Sequence, residues 1–236
     1  MLKWAKENCS HEDFMWSNID DVASFMVTDS NALELLKWAK EWKFKFYSYT
    51  CSSAASEGKL EVLKWLRKGR SKCDWNKWTC SAAAKGGHLE VLQRARENGC
   101  PWDEGTCAEA AKGGHLEVLQ WARENGCPWH VETLHILAKR GHFDMLKWAK
   151  ENCSHEDFMW SNIDDVASFM VTDSNALELL KWAKEWKFKF YSYTCSSAAS
   201  EGKLEVLKWL RKGRSKCDWN KWTCSAAAKG GHLEVL

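Results

Sequence analysis

Residues 87–102 read GHLEVLQRARENGCPW and residues 114–129 read GHLEVLQWARENGCPW, two strings that differ only at Arg94 versus Trp121. A chain that resembles itself at a fixed interval is read as a repeat array before any single residue is interpreted. The leucine of HLEVL serves as a ruler. Its equivalents are Leu33, Leu60, Leu89, Leu116, Phe143, Leu177, Leu204 and Leu233, separated by 27, 29, 27, 27, 34, 27 and 29 residues. A longer period overlies this one, since residues 1–92 recur without a change as residues 145–236. Such recurrence fits a recent duplication, an engineered concatemer or a window of a longer periodic array. Neither end carries a polar capping repeat, so further chain or other copies are expected to cover the ends.

Each short unit reads as a helical hairpin. In the unit at 103–129, Cys107, Ala110 and Ala111 fall at i, i+3 and i+4 and share one face of a short first helix. Lys112, Gly113 and Gly114 are expected to break it. A second helix runs from about His115 to Asn125. At 100° per residue, Leu116, Val118, Leu119, Trp121 and Ala122 fill an arc of about 220°. A stripe that wide requires burial on more than one side, as between stacked hairpins. Gly126 ends the helix and Cys127-Pro128-Trp129 leads onward. KFKFYSYT, from Lys43, replaces the CPW turn with a linker that reads as extended.

The string T-C-A-x-A-A-K-G-G-H-L-E-V-L resembles the ankyrin repeat, in which a T-P-L-H-x-A-A start precedes a G-H-L-E-V-V second helix. The likeness covers nearly the whole chain, but Thr106 is followed by Cys107-Ala108-Glu109, and the period is 27 residues against about 33. CPWDE is too short for the β-hairpin finger of the standard repeat, so the chain looks like a short, tryptophan-rich ankyrin variant. The expected fold is an all-α solenoid of helix-turn-helix, ankyrin-like repeats in one array. Its units run 1–16 (partial), 17–46, 47–75, 76–102, 103–129, 130–160, 161–190, 191–219 and 220–236 (partial).

Composition narrows the function. Net charge is +2, and no apolar run approaches the roughly 20 residues a membrane span needs. The start, MLKWAKENCS, has no apolar signal-peptide core. Eleven cysteines raise the question of disulfides. The count is odd, no pair has C-x-x-C spacing, and Cys51, Cys80, Cys107, Cys195 and Cys224 sit at one helical position beside alanines. They read as reduced, buried thiols in a reducing intracellular compartment, cytoplasm or nucleus, and not as zinc ligands or disulfides. His88, His115, His142 and His232 occupy the G-H turn, a structural place at the start of a helix. No phosphate loop or nucleophile elbow is present, and the chain reads as a non-enzyme without a cofactor or metal.

Trp4, Trp38, Trp65, Trp121, Trp148, Trp182 and Trp209 lie five residues after the ruler position and form a column expected to pack between adjacent second helices. Residues 59–77 carry a net +5 and residues 147–178 a net −5, blocks that could steer parallel arrays into register. The expected function is a protein–protein interaction scaffold or adaptor. The ankyrin resemblance implies that a protein partner meets the first helices, at Ser53, Ser56, Glu109, Lys112, His135, Lys139 and Arg140, with Asp20 and Asp21 on the longer helix. The alternative is a structural subunit of a self-assembled filament or tube, because units that repeat without change make repeated contacts. A weaker alternative is an RNA-binding helical array using the basic block Lys64, Arg67, Lys68, Arg70 and Lys72. The low net charge and the intervening acidic blocks argue against nucleic acid.

Overall fold

The computed structural model describes residues 20–41, 44–68, 73–129, 131–152, 166–185, 188–212 and 220–236. All regular structure among the described residues is helical, in two compact units, Met1–Pro128 and Trp129–Leu236. The first unit holds α1 (Asp20–Thr28), α2 (Ala32–Glu41), α3 (Ser48–Ser56), α4 (Leu60–Arg67), α5 (Lys77–Gly86), α6 (Leu89–Glu97), α7 (Glu104–Gly113) and α8 (Leu116–Glu124). The second holds α9 (Val131–Lys139), α10 (Phe143–Asn152), α11 (Val166–Met170), α12 (Ala176–Glu185), α13 (Ser192–Ser200), α14 (Leu204–Arg211), α15 (Lys221–Gly230) and a closing 3-10 turn, Leu233–Val235. Odd-numbered helices are the first helices of the hairpins.

Within the first unit, α1, α3, α5 and α7 pack directly against one another in that order. Small side chains make this possible. Ala54, Ala55, Ala83, Ala84, Ala110 and Ala111 are wholly buried, as are Cys51, Cys80 and Cys107. Second helices cover this row with Leu36, Leu63, Leu92 and Leu119, each at most 1% exposed and each contributing about 2 kcal/mol of burial. The second unit repeats the scheme along α9, α11, α13 and α15.

The first helices start earlier than their alanine faces suggest. Asp103 caps α7, its Oδ1 accepting from Gly105 N at 3.0 Å, and Asn76 caps α5 by accepting from Trp78 N at 3.0 Å. Each helix also runs through the first glycine of its Gly-Gly pair, so α7 ends at Gly113 and the break falls at Gly114, in the left-handed region at φ 74°. A side chain on the first glycine would meet two obstacles. A Cβ on Gly86 would collide with the Ser56 carbonyl oxygen of the preceding hairpin and with the His88 ring.

The histidines of the G-H turn are structural, but they do not cap the helices they precede. His88 and His115 sit at N-cap positions with no side-chain cap bond. Their rings reach back to the preceding hairpin instead. His88 Nε2 lies 2.9 Å from the Ser56 carbonyl oxygen and His115 Nε2 lies 3.0 Å from that of Lys85, each at the end of a first helix. Lys59, one residue before its ruler leucine, does the same with an ammonium, donating to the Asp29 carbonyl at 2.8 Å.

Candidate binding surface

Counting back from the ruler leucine, positions eleven, eight, seven and four residues earlier span about 100° of a first helix. This face carries Trp78 and Phe25, which are 63% and 72% exposed although both are large and apolar. Trp78 stands in the first turn of α5, with the Lys77 ammonium 5.2 Å from its ring centroid. Neither aromatic belongs to the regular tryptophan column, whose periodicity dominates the sequence. The signal was a tryptophan outside that register, recurring as Trp222.

The polar residues expected on this face divide by burial. Lys112, Lys139 and Arg140 are exposed, Arg140 in the turn after α9. Ser53, Ser56, Glu109 and His135 are half-buried and not open as expected, because first helices only nine or ten residues long and packed side by side shield their flanks. Lys112 pairs with Glu109 at 2.6 Å, and the His135 ring stands edge-on to Phe169 at 5.4 Å. Asp20 and Asp21 fall in the first turn of α1, and their side chains lie outside the described residues.

In the basic block, Lys64 bonds Glu61 at 2.6 Å and the Arg67 guanidinium lies 4.7 Å from the centre of the Trp75 ring. Lys68 is exposed at the end of α4, while Arg70 and Lys72 lie outside the described residues. The Glu61 carboxyl is lowered from its ordinary value by the hydrogen bond and charge of Lys64.

The tryptophan column is half-buried at Trp38, Trp65, Trp121, Trp148, Trp182 and Trp209; Trp4 lies outside the described residues. Its rings meet the connections more than each other. Trp38 packs on Phe44 at 6.2 Å, Trp65 on Phe46 at 5.7 Å and Trp121 on Trp102 at 5.9 Å. A neighbouring second helix contributes Lys40, 5.3 Å from the Trp65 ring. Arg94 interrupts the column and turns aside to Glu97 at 2.9 Å. A cleft of about 410 Å³ nearby is lined by Gln93, Arg96, Glu97, Trp102, Trp121 and Asn125. Most of its polar groups are already engaged, Glu97 with Arg94, Arg96 with the Cys100 carbonyl and Asn125 with the Trp121 carbonyl.

The cysteines correct the sequence expectation. Cys51 and Cys73 form a disulfide, with Cα atoms 6.5 Å apart, and Cys195 is also disulfide-bonded. Cys73, beyond the second helix, lies against the start of its own first helix, so residues 22 apart meet. Two further pairs occupy the same place as thiols without a disulfide, Cys80 with Cys100 and Cys107 with Cys127. The Cys100 thiol donates to the Asn76 carbonyl at 3.2 Å and the Cys127 thiol to that of Asp103 at 3.4 Å; the Cys73 sulfur lies 2.9 Å from the Tyr47 carbonyl oxygen. All three carbonyls belong to N-cap residues. Spacings of 20 and 22 residues recur inside the units, but spacing alone does not show that the turn cysteine returns to the first helix. No group of three or more metal-ligating side chains occurs among the described residues.

No protein-family model matches the chain and no curated protein matches its sequence. Solved structures do resemble it. The human ASB11 ankyrin repeat domain superposes with a TM-score of 0.53 at 18% identity, over 76% of this chain and 96% of that one. The pentatricopeptide repeat protein PPR10, in complex with an 18-nt psaJ RNA element, superposes with a TM-score of 0.55 at 15% identity, over 95% of this chain and 38% of that one. The chain thus spans well under half of PPR10. These likenesses place it among helical-repeat solenoids of ankyrin-like architecture.

Proposed function

We propose that the chain is a non-catalytic binding scaffold whose first-helix face receives a protein partner. The exposure of Trp78 and Phe25 carries this reading. Large aromatics exposed on a polar face are the residues that anchor protein interfaces, and on the same face Ser53 and Glu109 differ from unit to unit, as recognition requires. RNA, the ligand in the PPR10 complex, is the less favoured partner. Lys64, Lys77, Arg94, Lys112 and Lys208 each face a carboxylate within 2.9 Å, so their charge is already answered before a phosphate arrives. Proximity labelling with the wild type and with Trp78→Ala tests the proposal. A defined set of protein neighbours should disappear in the variant while its melting temperature stays put. Saturable binding of single-stranded RNA with a steep salt dependence would replace a protein partner with a nucleic-acid one.

A second reading, a structural subunit of an extended assembly, rests on the unchanged recurrence of residues 1–92 at 145–236. Units that repeat without change can make contacts that repeat without limit.

A further inference from the structure

The cysteine pairs serve neither the first-helix face nor the aromatic cleft, yet three consecutive hairpins place them alike. In each, the helix cysteine (Cys51, Cys80, Cys107) is wholly buried, and the turn cysteine (Cys73, Cys100, Cys127) rests at the N-cap carbonyl of the same first helix. In the two reduced pairs a guanidinium holds the backbone carbonyl of the turn cysteine. Arg96 donates to the Cys100 carbonyl at 2.5 Å, with its guanidinium 4.0 Å from the centre of the Trp102 ring, and Arg123 donates to the Cys127 carbonyl at 3.2 Å. The hairpin at 17–46 lacks both partners together, with Ser24 and Phe44 at the two positions.

We propose that Cys80/Cys100 and Cys107/Cys127 are oxidation sites, which hydrogen peroxide closes into disulfides that tie each second-helix exit to its own first helix. The turn cysteine is the attacking sulfur. The hydrogen bond from Cys80 lowers the Cys100 thiol against the opposing effect of burial, with Arg96 and Arg67 adding positive charge; Cys107 and Arg123 act on Cys127 in the same way. The Cys80 thiol is raised by its hydrogen bond to Cys100 and by burial. The Cys100 thiolate attacks one peroxide oxygen, an S–O bond forms as the O–O bond breaks, and hydroxide leaves and takes up the proton the thiol released. The Cys80 sulfur then displaces the oxygen of the sulfenic acid as water, carrying off its own proton, and the S–S bond forms. Two thiols and one peroxide give one disulfide and two waters, with two electrons passing from sulfur to oxygen. Asn98, Gly99 and Pro101, which flank the buried Cys100, are exposed, so local opening of this turn would admit peroxide.

The test starts from the full, reduced chain, treated with graded peroxide and digested without reduction for mass spectrometry. Links Cys80–Cys100 and Cys107–Cys127 should appear, the melting temperature should rise, and dithiothreitol should reverse both. In Cys80→Ala, Cys100 should stop at a sulfenic acid that dimedone traps, while Cys107–Cys127 still closes. The inference is overturned if the links join cysteines of different hairpins. It also fails if the paired thiols survive peroxide that oxidises the exposed Cys224, or if they pass to sulfinic acid without linking. The wild-type map decides the matter even if the alanine variant does not fold.

Discussion

Leu119 on α8 is 0% exposed, and its loss leaves a void that neighbours on a repeat array can only partly fill. Leu119→Ala should cost about 3 kcal/mol, read as a lowered urea midpoint with an unchanged slope. The glycines give a sharper residue-scale contrast. Gly87 and Gly99 share φ 76°, so both alanine variants carry the left-handed penalty of about 1 kcal/mol. Only Gly87 has a neighbour in the way, since its Cβ would stand 2.5 Å from His115 Nδ1, whereas nothing lies within 4 Å at Gly99. Gly87→Ala should therefore be clearly the more destabilising of the two in parallel melts. The Gly-Gly-His pattern was visible in the sequence as a helix break. Its second role, making room for a histidine from the next hairpin, was not, because that contact joins residues about 30 apart.

Among the elements, the hairpin itself was legible. Alanine and cysteine at i, i+3 and i+4, then an apolar stripe ended by glycine, are enough to give two helices and a packing order. What the pattern could not supply was the path of the connection. CPWDE is too short for a finger, and the structure shows it folding back on its own first helix, which is why the cysteine pairs and the Arg96–Trp102 stack went unread. The Asp103 cap is the element-scale consequence. Asp103→Ala should cost about 1 kcal/mol, measured by denaturation, because the Gly105 amide loses its acceptor. Asp103 also receives Lys77 of the preceding hairpin at 2.9 Å, and this hydrogen bond and charge raise the Lys77 ammonium above its ordinary value. A raised value means the pair's full contribution is present below the unfolded-state lysine value and is lost as the pH climbs through the folded-state one. The stability gap between wild type and Lys77→Gln should therefore close in strongly alkaline buffer, and it should narrow in high salt at neutral pH.

Over the whole molecule, the +5 and −5 blocks and the recurrence at 144 residues bear on assembly. Light scattering over a concentration range should give a monodisperse species if the scaffold reading holds. Salt-sensitive polymers of regular width would favour the structural subunit and make the charged blocks its register. The tie between hairpins has a direction as well. His88, His115 and Lys59 each lend a ring or ammonium to the hairpin before them, and the carbonyls that receive these contacts close the preceding first helix or the turn that follows α1. The row is thus vectorial, like a line of people each with a hand on the shoulder ahead. A hairpin stripped of its follower shows bare carbonyls, while one stripped of its leader shows an idle donor. Fraying from the two ends should therefore meet different resistance.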